Sequence, residues 1–194
     1  MSRKYGGRDR NVIAACNLLD RRSGAITLPS APARNGRIIL ELTSTAFKHH
    51  AAIPQAYTCD GHNTSIPLAW HHAPAHALSF ALICDDPDAS NGDWVHWLVY
   101  NIPPQLQSLP EDVDRQAVVE IGGAKVTQGI NSWPRIGYGG PCPPSGTHRY
   151  FFRLYALDLP PQLPADLTKP KLLEKLQGHI LAEAQLMGTY HRRR

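Results

Sequence analysis

Between residues 38 and 158 the chain alternates apolar and polar positions with period two, and Gly and Pro punctuate the runs. IILELTSTAF (38–47) alternates and is β-branched, which predicts a strand. KHHAAIPQAYTCDGHNTSIPLAW follows as loop-like sequence with a turn at Asp60-Gly61. HALSFALIC (76–84) is apolar enough to be a strand buried on both faces. WVHWLVYNI (94–102) predicts another, ended by Pro103-Pro104 because proline cannot donate to a ladder. AVVEI (117–121) reads as a short strand and HRYFFRLYALD (148–158) as the longest. The period then changes. Leu172, Leu173, Leu176, Ile180, Leu181, Ala184 and Met187 recur at three- and four-residue steps. With Thr168 as cap and Pro170 in the first turn, they predict an amphipathic helix interrupted at Gly178. Strands in series without intervening helices imply an antiparallel arrangement rather than a βαβ sheet. The expected fold is mainly β, a sandwich of two antiparallel sheets with a C-terminal helical segment.

Composition refines this picture. The 194 residues suit one domain, and 17 Pro with 15 Gly favour short strands and many turns over a helical bundle. The net charge of +4 suggests a polyanion partner until it is mapped along the chain. Residues 1–37 hold eight Lys/Arg and two Asp, and Arg192, Arg193 and Arg194 end the chain. Residues 38–191 carry nine basic and fourteen acidic side chains, so the folded part is mildly acidic. That excludes the clustered Lys/Arg surface of a phosphate-backbone binder, and no nucleic-acid-binding spacing occurs. Residues 1–37 read as a basic, disordered leader and linker, 38–191 as a single domain, and 192–194 as a basic tail. Val12 to Leu19 contains Asn17 and is closed by Asp20-Arg21-Arg22, too short and polar for a secretory h-region. No run reaches the ~20 apolar residues of a membrane span. Cys16, Cys59, Cys84 and Cys142 are scattered without zinc spacing. Cys59 and Cys142 both sit in loop-like sequence and could pair, but reduced thiols in a cytoplasmic protein are the plainer reading.

Candidate chemistry gathers at strand ends. DDPDAS (85–90) sets Asp85, Asp86 and Asp88 around Pro87 directly after an apolar strand. Period two puts His96 on one face with Trp94, Leu98 and Tyr100, and His148 on one face with Tyr150 and Phe152, opposite Arg149 and Arg153. If the neighbouring loops meet at one rim, Trp94, His96, His148 and Tyr150 wall a small cavity. The DPD turn would flank it on one side and GYGGPCPPSG on the other.

DDPDASNGDWVHWLVYNIP followed by GYGGPCPPSGTHRYFFRLYALD closely resembles the phosphatidylethanolamine-binding protein family, in its prokaryotic Raf kinase inhibitor-like branch. LTSTAF, YTCDGHNTSIPLAW and GHILAEAQLMGTY extend the resemblance over roughly residues 38–190. It implies a β-sandwich with a small anion-binding pocket. Carried over by position, the ligand-binding residues are Asp86, His96, Gly140, His148 and Tyr150, supported by Asp88, Trp94 and Pro141. Ser90 stands where the family usually has proline, and Ile66 where it often has one, so the pocket rim is expected to differ there. The resemblance also implies a non-catalytic binding protein without cofactor, a link to inhibition of kinases or proteases, and a homodimer as one oligomeric state.

The residue chemistry fits an oxyanion such as phosphate or a phosphoethanolamine-like head group. Two imidazoles and a tyrosine hydroxyl can donate, and a glycine N–H can approach closely. Asp86 would fix a histidine tautomer or accept from a ligand ammonium. Asp88 is expected to brace its loop by accepting backbone N–H groups, and Asp85 to be solvated turn charge. Two rival readings differ in class. Asp86, Asp88, His96 and His148 have the ligand types of a metal-assisted hydrolase, although no compact metal motif is present. A protein-interaction scaffold or inhibitor independent of the pocket is the other.

Overall fold

The computed structural model describes residues 39–90 and 92–192, all within one compact unit. The leader, Cys16, Ile38 at the start of the first expected strand, and Arg193 and Arg194 of the tail lie outside the described residues.

The strands are β1 (Glu41–Thr43), β2 (Leu68–His71), β3 (Ser79–Asp86), β4 (Trp94–Ile102), β5 (Ser108–Leu109), β6 (Val118–Ile121), β7 (Ala124–Gln128), β8 (Thr147–Leu157) and β9 (Ile180–His191), with helix α1 at Lys169–Leu176. A three-stranded sheet has the order β1-β2-β5 and a six-stranded sheet the order β6-β7-β4-β3-β8-β9, and every strand pair is antiparallel. The protein is thus mainly β, with two antiparallel sheets and one α-helix near the C-terminus among the described residues.

Hydrophobic burial explains the layering. Leu42, Leu68 and Trp70 of the small sheet pack with Phe80, Leu82, Trp97, Val99, Phe152 and Leu154 of the large one in one core. The other face of the large sheet presents Ala81, Ile83, Leu98, Tyr100 and Tyr155 to Leu167 and to Leu172 and Leu176 of α1. Both faces of β3 are therefore covered, and all eight of its residues are buried, as its unbroken apolar run predicts. Each large side chain in these layers stabilises the fold by about 1.5–3 kcal/mol through burial.

The helix is one short element, and Gly178, at φ 82°, marks its end. Ile180, Leu181, Ala184 and Met187 belong to β9, which pairs with β8 from Thr147↔His191 to Leu157↔Ile180. The unpaired edge of β8 overrides the helical spacing of those residues. Thr168 occupies the cap position, but its hydroxyl makes no capping bond. Cys59 and Cys142 form a disulfide, with Cα atoms 5.4 Å apart, so they are not reduced thiols. Cys84 is a free, buried core residue, as expected.

Asp85 is not a turn charge. It lies within β3, is 1% exposed, and faces the helix side of the sheet because it alternates with Asp86. Its carboxylate accepts from Arg153 Nη1 at 2.6 and 2.7 Å and from Lys169 Nζ at 2.6 Å, and Lys169 also pairs with Asp93. Two cations neutralise a charge that could not otherwise be buried.

Candidate functional site

A cavity of about 390 Å³ opens at the end of the sandwich where β3, β4 and β8 begin or finish. Asp86, His96 and His148 line it, with Trp94 and Ser90 alongside. The expected convergence of the DPD turn with the GYGGPCPPSG loop thus occurs.

The placement of His96 depends on a bulge. Cys84 pairs with Trp97 while Asp85 pairs with Val95, so His96 is an extra residue in β4. The bulge breaks the alternation. Leu98 and Tyr100 pack on the helix side, whereas His96 stacks edge-on against Tyr150 at 5.1 Å, on the inter-sheet side. The expectation that His96 shares a face with Leu98 and Tyr100 is corrected accordingly. His148, Tyr150 and Phe152 do share a face as strand period two predicts, and Arg149 and Arg153 bond to Asp88 and Asp85 on the other side.

At the cavity floor, His148 Nδ1 donates to Asp86 Oδ2 at 2.8 Å, with both side chains nearly buried. The other oxygen of Asp86 accepts the Asp88 N–H at 2.8 Å, which closes the turn around Pro87. His96 Nδ1 faces the Gly139 carbonyl at 2.6 Å. Burial holds the His96 pKa below the usual imidazole value, opposed by that carbonyl and the charge of Asp86. Tyr150 is fully buried behind His96, outside the cavity lining, and its hydroxyl makes no hydrogen bond of ordinary geometry. Burial, and then the nearby Asp86 charge, push its pKa well up.

Asp88 braces its loop, but through a stronger partner than expected. Its carboxylate accepts the backbone N–H of Arg149 at 2.9 Å and a two-pronged contact from the Arg149 guanidinium at 2.9 and 2.7 Å. Those guanidinium bonds hold the Asp88 pKa at about 2. The carboxylate is thereby committed away from the cavity, and the four proposed metal ligands do not converge. Among the described residues no group of three or more His, Cys, Asp or Glu is arranged to hold a metal ion.

Gly140 and Pro141 act differently from the expectation. The Gly140 N–H donates to Asn63 Oδ1 at 2.7 Å rather than pointing free into the cavity. A Cβ there would lie 2.4 Å from the Tyr57 carbonyl oxygen, so glycine is needed for close approach of two loops. The Pro141 carbonyl accepts the Cys59 N–H at 3.1 Å. Together with the Cys59–Cys142 disulfide, these contacts clamp loop 139–142 to loop 57–63 as one wall of the cavity.

Sequence reasoning missed the loop before Gly137. Asn131 organises it, donating to the Gly137 carbonyl and accepting the N–H groups of Trp133 and Arg135. The result sets Trp133 and Arg135 on the cavity, with Arg115 nearby, its guanidinium donating to the Asn63 carbonyl. Trp133 lies edge-on to Trp94 at 5.3 Å and to His96 at 5.1 Å. The signal was a Trp-Pro-Arg triplet in a Gly-rich loop, which carries no fixed spacing to any other site residue.

The family model described as phosphatidylethanolamine-binding protein matches residues 43–191. A UPF0098 protein of Methanothermobacter thermautotrophicus is 48% identical over 153 residues, covering 79% of this chain and 99% of the relative. One from Aquifex aeolicus is 45% identical, covering 81% and 91%. Among solved structures, a phosphatidylethanolamine-binding protein homologue from Chlamydia trachomatis superimposes with a TM-score of 0.73 at 40% identity, covering 80% of this chain and 99% of that one. The Escherichia coli protein YbcL, described as a member of the mammalian PEBP family, gives a TM-score of 0.70 at 31% identity, covering 79% and 99%.

Proposed function

Because this chain belongs to the phosphatidylethanolamine-binding protein family, we propose that it is a non-catalytic binding protein whose cavity takes phosphate or a phosphorylated head group of the phosphoethanolamine class. The observation that carries this reading is the buried Asp86–His148 pair beside His96 at the floor of a 390 Å³ cavity. Ionisable groups held that far from water need either an internal partner or a ligand, and such clusters mark functional sites. Arg115 and Arg135 place two guanidinium groups on the lining, which favours an anion. Trp94 and Trp133 offer aromatic surface to the ammonium of a zwitterionic head group. A cavity of this volume accommodates a head group and not a whole lipid. A binding role is favoured over hydrolysis because Asp88 and the Nδ1 of His96 are committed to internal partners.

Among the described residues no helix is long and apolar enough to cross a membrane. The Cys59–Cys142 disulfide fits an oxidising compartment better than a reducing cytoplasm and turns the expectation of location that way. An effect on a kinase or protease belongs to the cavity only if breaking the cavity abolishes it.

Calorimetric titration with inorganic phosphate and with phosphoethanolamine tests the reading. His148→Ala and Asp86→Ala should each weaken binding about ten- to a hundredfold, the worth of one charge-assisted hydrogen bond. Both should leave the fold intact by circular dichroism. Unchanged affinity in two folded variants would remove the site from these residues.

A further inference from the structure

The hydrogen-bond polarity of the cavity floor is the reverse of what an anion needs. A backbone carbonyl only accepts, so the proton of a neutral His96 sits on Nδ1, facing Gly139 at 2.6 Å. An ionised carboxylate likewise only accepts, so His148 carries a proton on Nδ1, facing Asp86 at 2.8 Å. In both rings the Nε2 of the neutral form is then a bare lone pair. The two other donors expected at the floor do not supply the lack. The Gly140 N–H is given to Asn63, and the Tyr150 hydroxyl is buried outside the lining. With neutral imidazoles, an oxyanion at the floor would meet lone pairs and a carboxylate.

We propose that a small oxyanion binds at this floor only together with a proton, carried on Nε2 of His148 and balanced by Asp86. The inference rests on the anion-pocket reading and specifies the form in which the ligand is taken. Protonation turns Nε2 of His148 into a charged donor and leaves its bond to Asp86 in place. His148 is the carrier rather than His96 because its Nδ1 is hydrogen-bonded to a carboxylate that balances the added charge, whereas the hydrogen-bond partners of His96 are neutral backbone carbonyls, Asp86 acts on it only at longer range, and its ring is 2% exposed. Asp86 remains an acceptor on both oxygens, through His148 on one and the Asp88 N–H on the other.

The other groups around His148 do not take over this role. Asp88 is compensated by Arg149. Tyr150 lies two residues along the same strand. Across the ladder His148 pairs with Tyr190 of β9, whose hydroxyl donates to Asp60, and Asp60 also receives Arg192. Arg115 and Arg135 line the same cavity. The consequence is ligand selection by acidity: the floor accepts a dianion plus one proton, or a singly protonated monoanion, and discriminates against a bare dianion as pH rises.

Sulfate separates the proton from the ligand, because it takes up no proton of its own at neutral pH. Titrating sulfate into the protein at pH 8 in Tris and in HEPES reads proton uptake from the difference in heat between buffers. The expected result is uptake close to one proton per sulfate bound, with affinity falling about tenfold from pH 7.5 to 8.5. His148→Gln, which keeps a permanent amide donor, should bind sulfate without the buffer difference. Sulfate binding to the wild type with buffer-independent heat would overturn the inference and leave the anion pocket standing. Proton uptake that persists in His148→Gln would overturn the assignment to His148. Failure of both sulfate and phosphate to bind at pH 6 would overturn the inference and the anion-pocket reading together.

Discussion

His96 illustrates how much one residue's setting can decide. One extra residue in β4 rotates its imidazole away from Leu98 and Tyr100 and into a T-shaped contact with Tyr150. Once there, it is 2% exposed, and burial lowers its pKa. The sign of the linkage is then set. Below the ~6.5 of a free histidine the unfolded chain takes up a proton that native His96 resists, so folding stability falls as pH drops through that range. Urea unfolding measured from pH 8 to pH 5 should show the wild type losing stability more steeply than His96→Asn. The difference should be at most the slope of one proton, about 1.4 kcal/mol per pH unit. Parallel curves for the two proteins would mean that His96 titrates in the native state as readily as in the unfolded one. Asp88 follows the same sign for a different reason: Arg149 favours its ionised form and holds its pKa at about 2, so its contribution too is lost as pH falls, but only below the ordinary carboxylate range.

At the scale of elements, the adjacent residues Asp85 and Asp86 serve opposite sides of one strand. Asp86 faces the cavity, while Asp85 reaches across the outer face of the large sheet to Arg153 and to Lys169 at the start of α1. The helix is thereby tied to β3 and β8 by charge as well as by Leu172 and Leu176. Removing the shared acceptor strands two partly buried cations. Asp85→Ala should therefore destabilise the fold by about 3 kcal/mol, with the loss read by thermal or urea unfolding. A change below about 0.5 kcal/mol would show that the network is solvated and carries little. The same region shows where sequence reading succeeds and where it stops. WVHWLVYNI gives β4 with its bounds intact, because its apolar density and its terminating prolines act locally. Residues 180–187 read as helix because their three- and four-residue spacing is real, yet the long open edge of β8 is a stronger and non-local demand. Asp85 misleads for a related reason. Its charge suggests solvent, and its two neutralising partners lie 68 and 84 residues away.

Over the whole molecule, separate stretches assemble one cavity: the loop around Cys59 and Asn63, the segment from Asp86 to the bulged start of β4, Arg115, and the loop that leads into β8. The two long motifs made Asp86, His96 and His148 legible because each lies at or beside a strand end, although the bulge at His96 overrides the face that alternation assigns to it. Trp133, Arg115, Arg135 and Asn63 were not legible, because their approach depends on side-chain bonds within irregular loops. The disulfide was open from sequence for the same reason: 83 residues separate Cys59 from Cys142, and only the folded clamp between their loops brings them together. That clamp, the Asp86 turn and the His96 bulge together frame one pocket, lined by Arg115 and Arg135 as well as by Asp86, and the proposed anion binding at its floor is the central claim. The most direct test of that claim is a high-resolution crystal structure of the protein soaked with phosphoethanolamine. The predicted result is a phosphate group at the floor, within hydrogen-bond distance of His148 Nε2, with the Asp86–His148 bond retained. An empty floor at a concentration that saturates binding in solution, or a phosphate bound elsewhere on the surface, would contradict it.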